Sequence, residues 1–165
     1  MSFDANIVLE KLKFAARRIR RRNNSFTQAM VLDSIANRLS FNNWSLLHKT
    51  IVKSGESYLL DFHDHMYQHS SLLEFLPEQF AHVDRDAATE EMKVWIEQKY
   101  TRLVDFAFLD RESENGFAWP SVDLSEELSE EFYRYYPYDL IDEVAVEMEM
   151  DGGPWGIEDY GHGDE

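Results

Sequence analysis

In the stretch DFHDHMYQH, Asp61 to His69, one aspartate and two histidines recur at four-residue intervals. On a helix Asp61, His65 and His69 fall along one face, and a histidine pair at i, i+4 has workable zinc-ligand spacing. A fourth ligand must come from elsewhere, and half-exposed histidines beside acids are commoner than metal sites, so no metal or other cofactor is assigned. His63 lies off that face. The chain has no cysteine, which removes disulfides, thiolate metal sites and cysteine nucleophiles and fits a reducing cytosol. It has no glycine loop able to cradle phosphate and no G-x-S-x-G elbow, and no carboxylate pair stands out by spacing among 32 acids. The expectation is a protein that is not an enzyme.

Charge is the more informative chemistry. The 165 residues carry a formal net charge of −16, divided unevenly. Residues 1–55 hold ten Lys and Arg against three acids, +7, whereas residues 56–165 hold six against 29, −23. In the last third, residues 112–165, Arg134 is the one basic residue against 17 acids. Such asymmetry speaks to partners and association, not to fold. At 44% hydrophobic and 14% aromatic the chain is too apolar to be wholly disordered, and its length suits one domain or one with a small appendage. No apolar stretch reaches a membrane span of roughly 18 residues, and the N-terminal MSFDANIVLEKLKF lacks a signal-peptide pattern, so a soluble cytoplasmic protein is expected.

The elements that must position these charges are helical. From Asp4 to about Arg22, Val8, Leu12, Ala15 and Ile19 recur at spacings of three and four, with Lys and Arg assigned to the other side. Ser25 and Gln28 have capping-box spacing, opening a second helix whose buried face would be Ala29, Leu32, Ile35, Ala36 and Leu39. SFNN ends it, Asn43 caps a third helix with Trp44, Leu47 and Ile51, and Gly55 stops that one. One or two helices precede Pro77, and a long one spans Asp86 to Asp110. Asp123 and Glu126 form a second capping box before a short helix ending ahead of Pro137. DLIDEVAVEMEM fits a helix through Leu140, Ile141, Val144 and Met148, and a half-buried strand through the alternation of Val144, Val146, Met148 and Met150. The fold class is therefore mostly α, a compact helical domain of about six or seven helices, with a short C-terminal strand as the option at its end. Three regions are expected: a basic helical unit at 1–55, an acidic helical body at 56–150, and a flexible acidic tail at 151–165.

The stretch Leu12 to Leu47, LKFAARRIR followed by SFTQAMVLDSIANRLSFNNWSLL, resembles a short helical element of small bacterial and plasmid-borne proteins grouped as glyoxalase-related. Its pattern is L-K-x-x-A-K/R-x-L/I-R, then S-x-T/S-Q-A, I-A and G-F-x-x-W-x-x-L. The likeness is carried by Thr27-Gln28-Ala29, Ile35-Ala36, Phe41 and Trp44, and this chain has Ser40 where the pattern favours glycine. The resemblance implies a mobile-element or accessory context and brings no catalytic residues.

Two partner classes follow from the residues. The acidic, aromatic last third places Glu126, Glu127, Glu130, Glu131, Asp139, Asp142 and Glu143 as phosphate-like charges, with Tyr135, Tyr138 and Trp155 as anchors. Such a surface suits a basic nucleic-acid-handling protein, inhibited or regulated by a nucleic-acid mimic of the kind plasmids and phages use against host defence. The alternative is a nucleic-acid-binding regulator or antitoxin-like protein. It would use Arg17, Arg18, Arg20, Arg21 and Arg22, five arginines in six residues, with Lys49 and Lys53 of the helix after the turn. Those arginines could equally meet the protein's own acidic half. The third helix opens on Trp44, Leu46 and Leu47, where a groove-reading helix presents polar side chains, so the hairpin is read as a packing unit.

Overall fold

The apolar spacing resolves into eight helices, with no strand among the described residues, in a computed structural model that describes residues 3–114 and 124–150. Two units are distinguished, Met1–His82 and Val83–Glu165. The charge boundary at residue 55 falls inside the first, between its third and fourth helices. By unit, the first holds ten basic residues against eight acids, +2, and the second six against 24, −18.

In the first unit α1 (Ala5–Arg22), α2 (Gln28–Arg38), α3 (Trp44–Lys53), α4 (Glu56–Gln68) and the single turn α5 (Ser70–Leu73) are arranged with α1 packed on α2, α3 and α4. Asp4 caps α1 by accepting from the Ile7 amide at 3.2 Å. The buried side of α1 is Val8, Leu9, Leu12, Ala15 and Ala16, and it includes Lys11, which the sequence pattern had placed on the polar side. Leu47, Ile51, Leu60, Phe62, Met66 and Leu72 complete this core.

The start of α2 differs from the capping-box expectation. Thr27 is the cap: its backbone is extended and its Oγ1 accepts from the Met30 amide at 3.2 Å. Ser25 is unavailable because its amide and hydroxyl both turn back onto the Asn23 carboxamide oxygen, an Asx turn. With the start moved, Val31, Ile35, Ala36 and Leu39 face the core, Leu32 is half-buried and Ala29 is exposed. Asn43 caps α3 as expected, accepting from Leu46 N at 2.8 Å, and Asp33 of α2 accepts from Trp44 N at 2.8 Å, which ties the two helices of the hairpin.

The turn between them closes α2 by a Schellman motif. Phe41 N donates to Ala36 O at 2.8 Å and Ser40 N to Asn37 O at 3.1 Å. Ser40 sits at φ 72, the one described non-glycine residue with positive φ. This is the position where the resembling element carries glycine. A side chain there costs about 1 kcal/mol. Ser40→Gly is therefore expected to stabilise the first unit by up to about 1 kcal/mol, read as a higher urea midpoint with unchanged slope; an unchanged or lower midpoint would count against strain at this turn.

In the second unit α6 (Arg85–Glu114), α7 (Leu124–Phe132) and α8 (Tyr138–Met150) surround a core of Ala88, Met92, Ile96, Leu124, Leu128, Phe132, Leu140, Ile141, Val144, Ala145 and Met148. Asp84 starts α6 by accepting from the amides of Asp86 and Ala87 at 3.1 and 3.2 Å. The segment that could have been strand is helix: Leu140, Ile141, Val144, Ala145 and Met148 are buried together, while Val146, inward in the strand pattern, is 45% exposed. The period of 3.6 wins because two adjacent apolar pairs, 140–141 and 144–145, fit one helix face and fit neither face of a strand. Asp123 of the proposed second capping box lies outside the described residues.

Candidate functional sites

The acids assigned to partner binding fall into two sets. On α8, Asp139, Glu143 and Glu147 form an i, i+4, i+8 stripe that faces basic residues of α6. Arg85 donates to Asp139 at 3.2 Å and to Glu143 at 3.4 Å, and Lys93 to Glu147 at 2.7 Å. Glu127 of α7 takes Lys99 at 2.7 Å, and Asp142 accepts from Ser125 Oγ at 3.1 Å. The second set is turned outward: Glu126, Glu130 and Glu131 are exposed on α7, and Glu130 and Glu131 make no ion pair among the described residues. Of the aromatic anchors, Tyr138 is 65% exposed, Tyr135 is half-buried, and Trp155 lies outside the described residues. Tyr133, 64% exposed, is a further outward-facing aromatic. Tyr136 is spent structurally: it stacks on Phe132 at 5.7 Å and donates to Glu91 at 3.1 Å. Burial and the nearby carboxylate push its phenol upward.

The basic run divides similarly. Arg22 pairs with Glu74 at 3.1 Å and lies 5.0 Å over the Phe75 ring, and Arg18 lies 5.6 Å over Phe14. Arg17, Arg20 and Arg21, exposed, line a concavity of about 280 Å³ with Asn24 and Gln28, and no acid takes part. Gln28 Oε1 is buried there without a hydrogen-bond partner. Lys49 and Lys53 are exposed on α3 beside Leu46 and Val52, 43% and 55% exposed, so that helix offers base edges a partly apolar face.

The metal spacing does not assemble. His69 has left the helix as the residue after α4, and its Nδ1 lies 2.9 Å from Ser71 Oγ. Among the described residues no group of three or more metal-ligating side chains is poised for an ion.

A third cluster lay unnoticed in the sequence. Lys11 of α1, 4% exposed, places Nζ 2.7 Å from His63 Nε2 and donates to the Gln79 carbonyl. Tyr67, also of α4, puts its ring 5.1 Å from the same nitrogen and donates its hydroxyl to Pro77 O at 2.7 Å. His82 lies edge-on to His63 at 5.7 Å, and Phe3 closes over both imidazoles at 4.9 and 5.6 Å. Lys11 makes no ion pair among the described residues. Burial lowers its amine to about 7. Burial, then the Lys11 charge and His82, lower His63 to about 3; burial and Lys11 lower His82 to about 4. Burial, with Glu78 near, raises the Tyr67 phenol. Near neutral pH both imidazoles are thus neutral, and Lys11 is divided between its ammonium and free-amine forms. Signals were present: Lys11 stands three residues after Val8 and four before Ala15, on the apolar stripe, and His63 is equally placed between Leu59 and Met66.

Comparison with family models, with curated proteins and with solved structures finds no match. No helix among the described residues is long and apolar enough to cross a membrane.

Proposed function

We propose that the protein is a non-enzymatic interaction protein. Its outward acidic and aromatic face on α7 and the start of α8 binds a basic nucleic-acid-handling protein and inhibits or regulates it, in the style of a nucleic-acid mimic. The observation that carries the reading is the exposure of Tyr133 and Tyr138, 64% and 65%, on a unit of net charge −18. Two large aromatic rings left in water beside carboxylates are costly for a monomer and useful as anchors: the acids steer a cationic partner and the rings supply contact area. The ion-paired stripe on α8 is less available, so Glu130 and Glu131, exposed on α7, carry the charge of the proposed face.

A pull-down from host lysate with the wild type and with Glu130→Lys/Glu131→Lys/Tyr133→Ser/Tyr138→Ser tests this. Nucleic-acid-binding proteins that duplex DNA competes away should be captured by the wild type and lost from the variant. Equal capture by a variant with wild-type circular dichroism would refute the proposed face.

A second reading has its own support in the acid-free concavity of Arg17, Arg20 and Arg21: a nucleic-acid-binding regulator in which these three guanidinia neutralise phosphates. Removing them should lower the slope of log affinity for duplex DNA against log salt by about 2.7. An electrophoretic shift assay that shows no wild-type binding even at low salt would dispose of this reading.

A further inference from the structure

The Lys11 cluster serves neither reading, and it is an expensive thing to maintain. A lysine cation taken out of water without a carboxylate costs several kcal/mol. Lys11 has as neighbours two imidazoles, a phenol ring and a backbone carbonyl. Beside it lies a cavity of about 480 Å³ running along α1 against residues 77 and 82, with Lys11 itself among the lining residues. That volume is in the range of small-molecule sites, roughly 300–1,000 Å³. Ile7, Phe14 and Pro77 give it apolar walls, and His82 lines it next to the amine. Asp4, Glu10 and Arg17 bring charges of both signs to it, which favours a neutral ligand over an anion.

We propose that Lys11 is a carbonyl-reactive amine, and that this cavity admits a small, largely apolar aldehyde or ketone with which Nζ forms an imine. The nitrogen lone pair attacks the carbonyl carbon, and the π pair moves to oxygen, which takes a proton. Loss of that oxygen as water completes the C=N bond. The two amine protons and the carbonyl oxygen leave together as one water, and no oxidant is needed. His63 Nε2, 2.7 Å from Nζ, hydrogen-bonds the amine and fixes its position. The groups that face the amine support its nucleophilic form. His63 and Tyr67 come from α4, His82 and the Gln79 carbonyl from the segment after α5, and Asp4, Glu10 and Arg17 line the cavity from α1 and its cap. Among the described residues no carboxylate hydrogen-bonds the amine, and burial leaves much of it unprotonated near neutral pH.

The test uses the full-length wild-type protein. Brief exposure to butyraldehyde with cyanoborohydride at pH 7.5, followed by peptide mass spectrometry, gives a rate for each of the six lysines. Lys11 should be alkylated about tenfold or more faster than half-exposed Lys13. The gain reflects the free-amine fraction that burial gives Lys11, partly offset by the lower nucleophilicity of a less basic nitrogen. Its rate should level off above about pH 8. Labelling of Lys11 no faster than Lys13 would overturn the proposal. In a second arm Phe14→Trp, at a half-exposed wall position, narrows the cavity. It should slow Lys11 several-fold and leave Lys13 unchanged; unchanged labelling of Lys11 would show that the cavity is not the route and would also overturn it.

Discussion

Acidification is expected to destabilise the Met1–His82 unit in two adjoining pH windows. A base whose folded pKa is below its unfolded value takes up a proton when the chain unfolds, so folded stability falls as pH falls between the two values. For Lys11 those limits are 10.5 and about 7, and for His63 and His82 they are 6.5 and about 3 and 4. Each proton changes stability by about 1.4 kcal/mol per pH unit within its window. The lysine limb, between pH 10 and 7, therefore has a slope near one proton, and the histidine limb, between 6.5 and 4, a slope near two. Across either limb the loss amounts to several kcal/mol, comparable with the whole stability of a domain this size. Urea midpoints measured from pH 4 to 10 should rise throughout, with the slope easing from about two protons to about one near neutrality. Lys11→Met should flatten the upper limb, because the titrating amine is gone. It should also make the lower limb shallower, since part of the histidine depression comes from the Lys11 charge. A wild-type profile flat between pH 7 and 10 would show that the buried nitrogen remains an ammonium in the folded protein.

Much of this architecture was legible in the sequence, for identifiable reasons. The stripe of Val8, Leu12 and Ala15 found α1, and Asn43 found the start of α3, because a periodic apolar face and a short carboxamide cap are local signals. The start of α2 was misplaced because three neighbouring residues, Ser25, Thr27 and Asn23, can all bond a free amide, and only the backbone decides which one caps. Residues 139–150 suit both helix and strand in sequence because Val144 and Met148 satisfy both periods. The charge-bearing surface was only partly legible. That Asp139 and Glu143 are occupied by Arg85, 54 and 58 residues earlier, is a tertiary fact with no local trace. The Lys11 cluster escaped for another reason. A lysine among apolar positions is ordinarily assigned to the polar face, and His63, Gln79 and His82 lie 52 and more residues from it.

Phe132→Ala is expected to have the largest effect of any single truncation in the second unit, about 3–5 kcal/mol. Phe132 is the largest fully buried side chain among the described residues, 1% exposed, with Trp95 edge-on at 5.6 Å and Tyr136 stacked at 5.7 Å. It stands at the end of α7, where α7, α8 and α6 share one core. Truncation removes the hydrophobic transfer energy and leaves a hole bounded by two rings that cannot close it, since Tyr136 is held by Glu91. The check is hydrogen exchange by mass spectrometry: peptides of α7 and α8 should lose protection, while those of α1 and α2 keep theirs. Loss of less than about 1 kcal/mol would mean that the ring cluster is not what closes this unit.

The stripe on α8 has one more consequence. Arg85 and Lys93 of α6 meet Asp139, Glu143 and Glu147 in the same order along both helices, so α6 and α8 run parallel with cations on one side and anions on the other. Solvent-exposed pairs of this kind add little to stability, about 0.2–1 kcal/mol each. Their stronger effect is exclusion. An α8 set against the α8 of a second copy would oppose carboxylate to carboxylate at every turn, so like-with-like pairing of this helix is penalised, and the segregation of charge acts as an address label that α8 can satisfy only with a cationic helix such as α6.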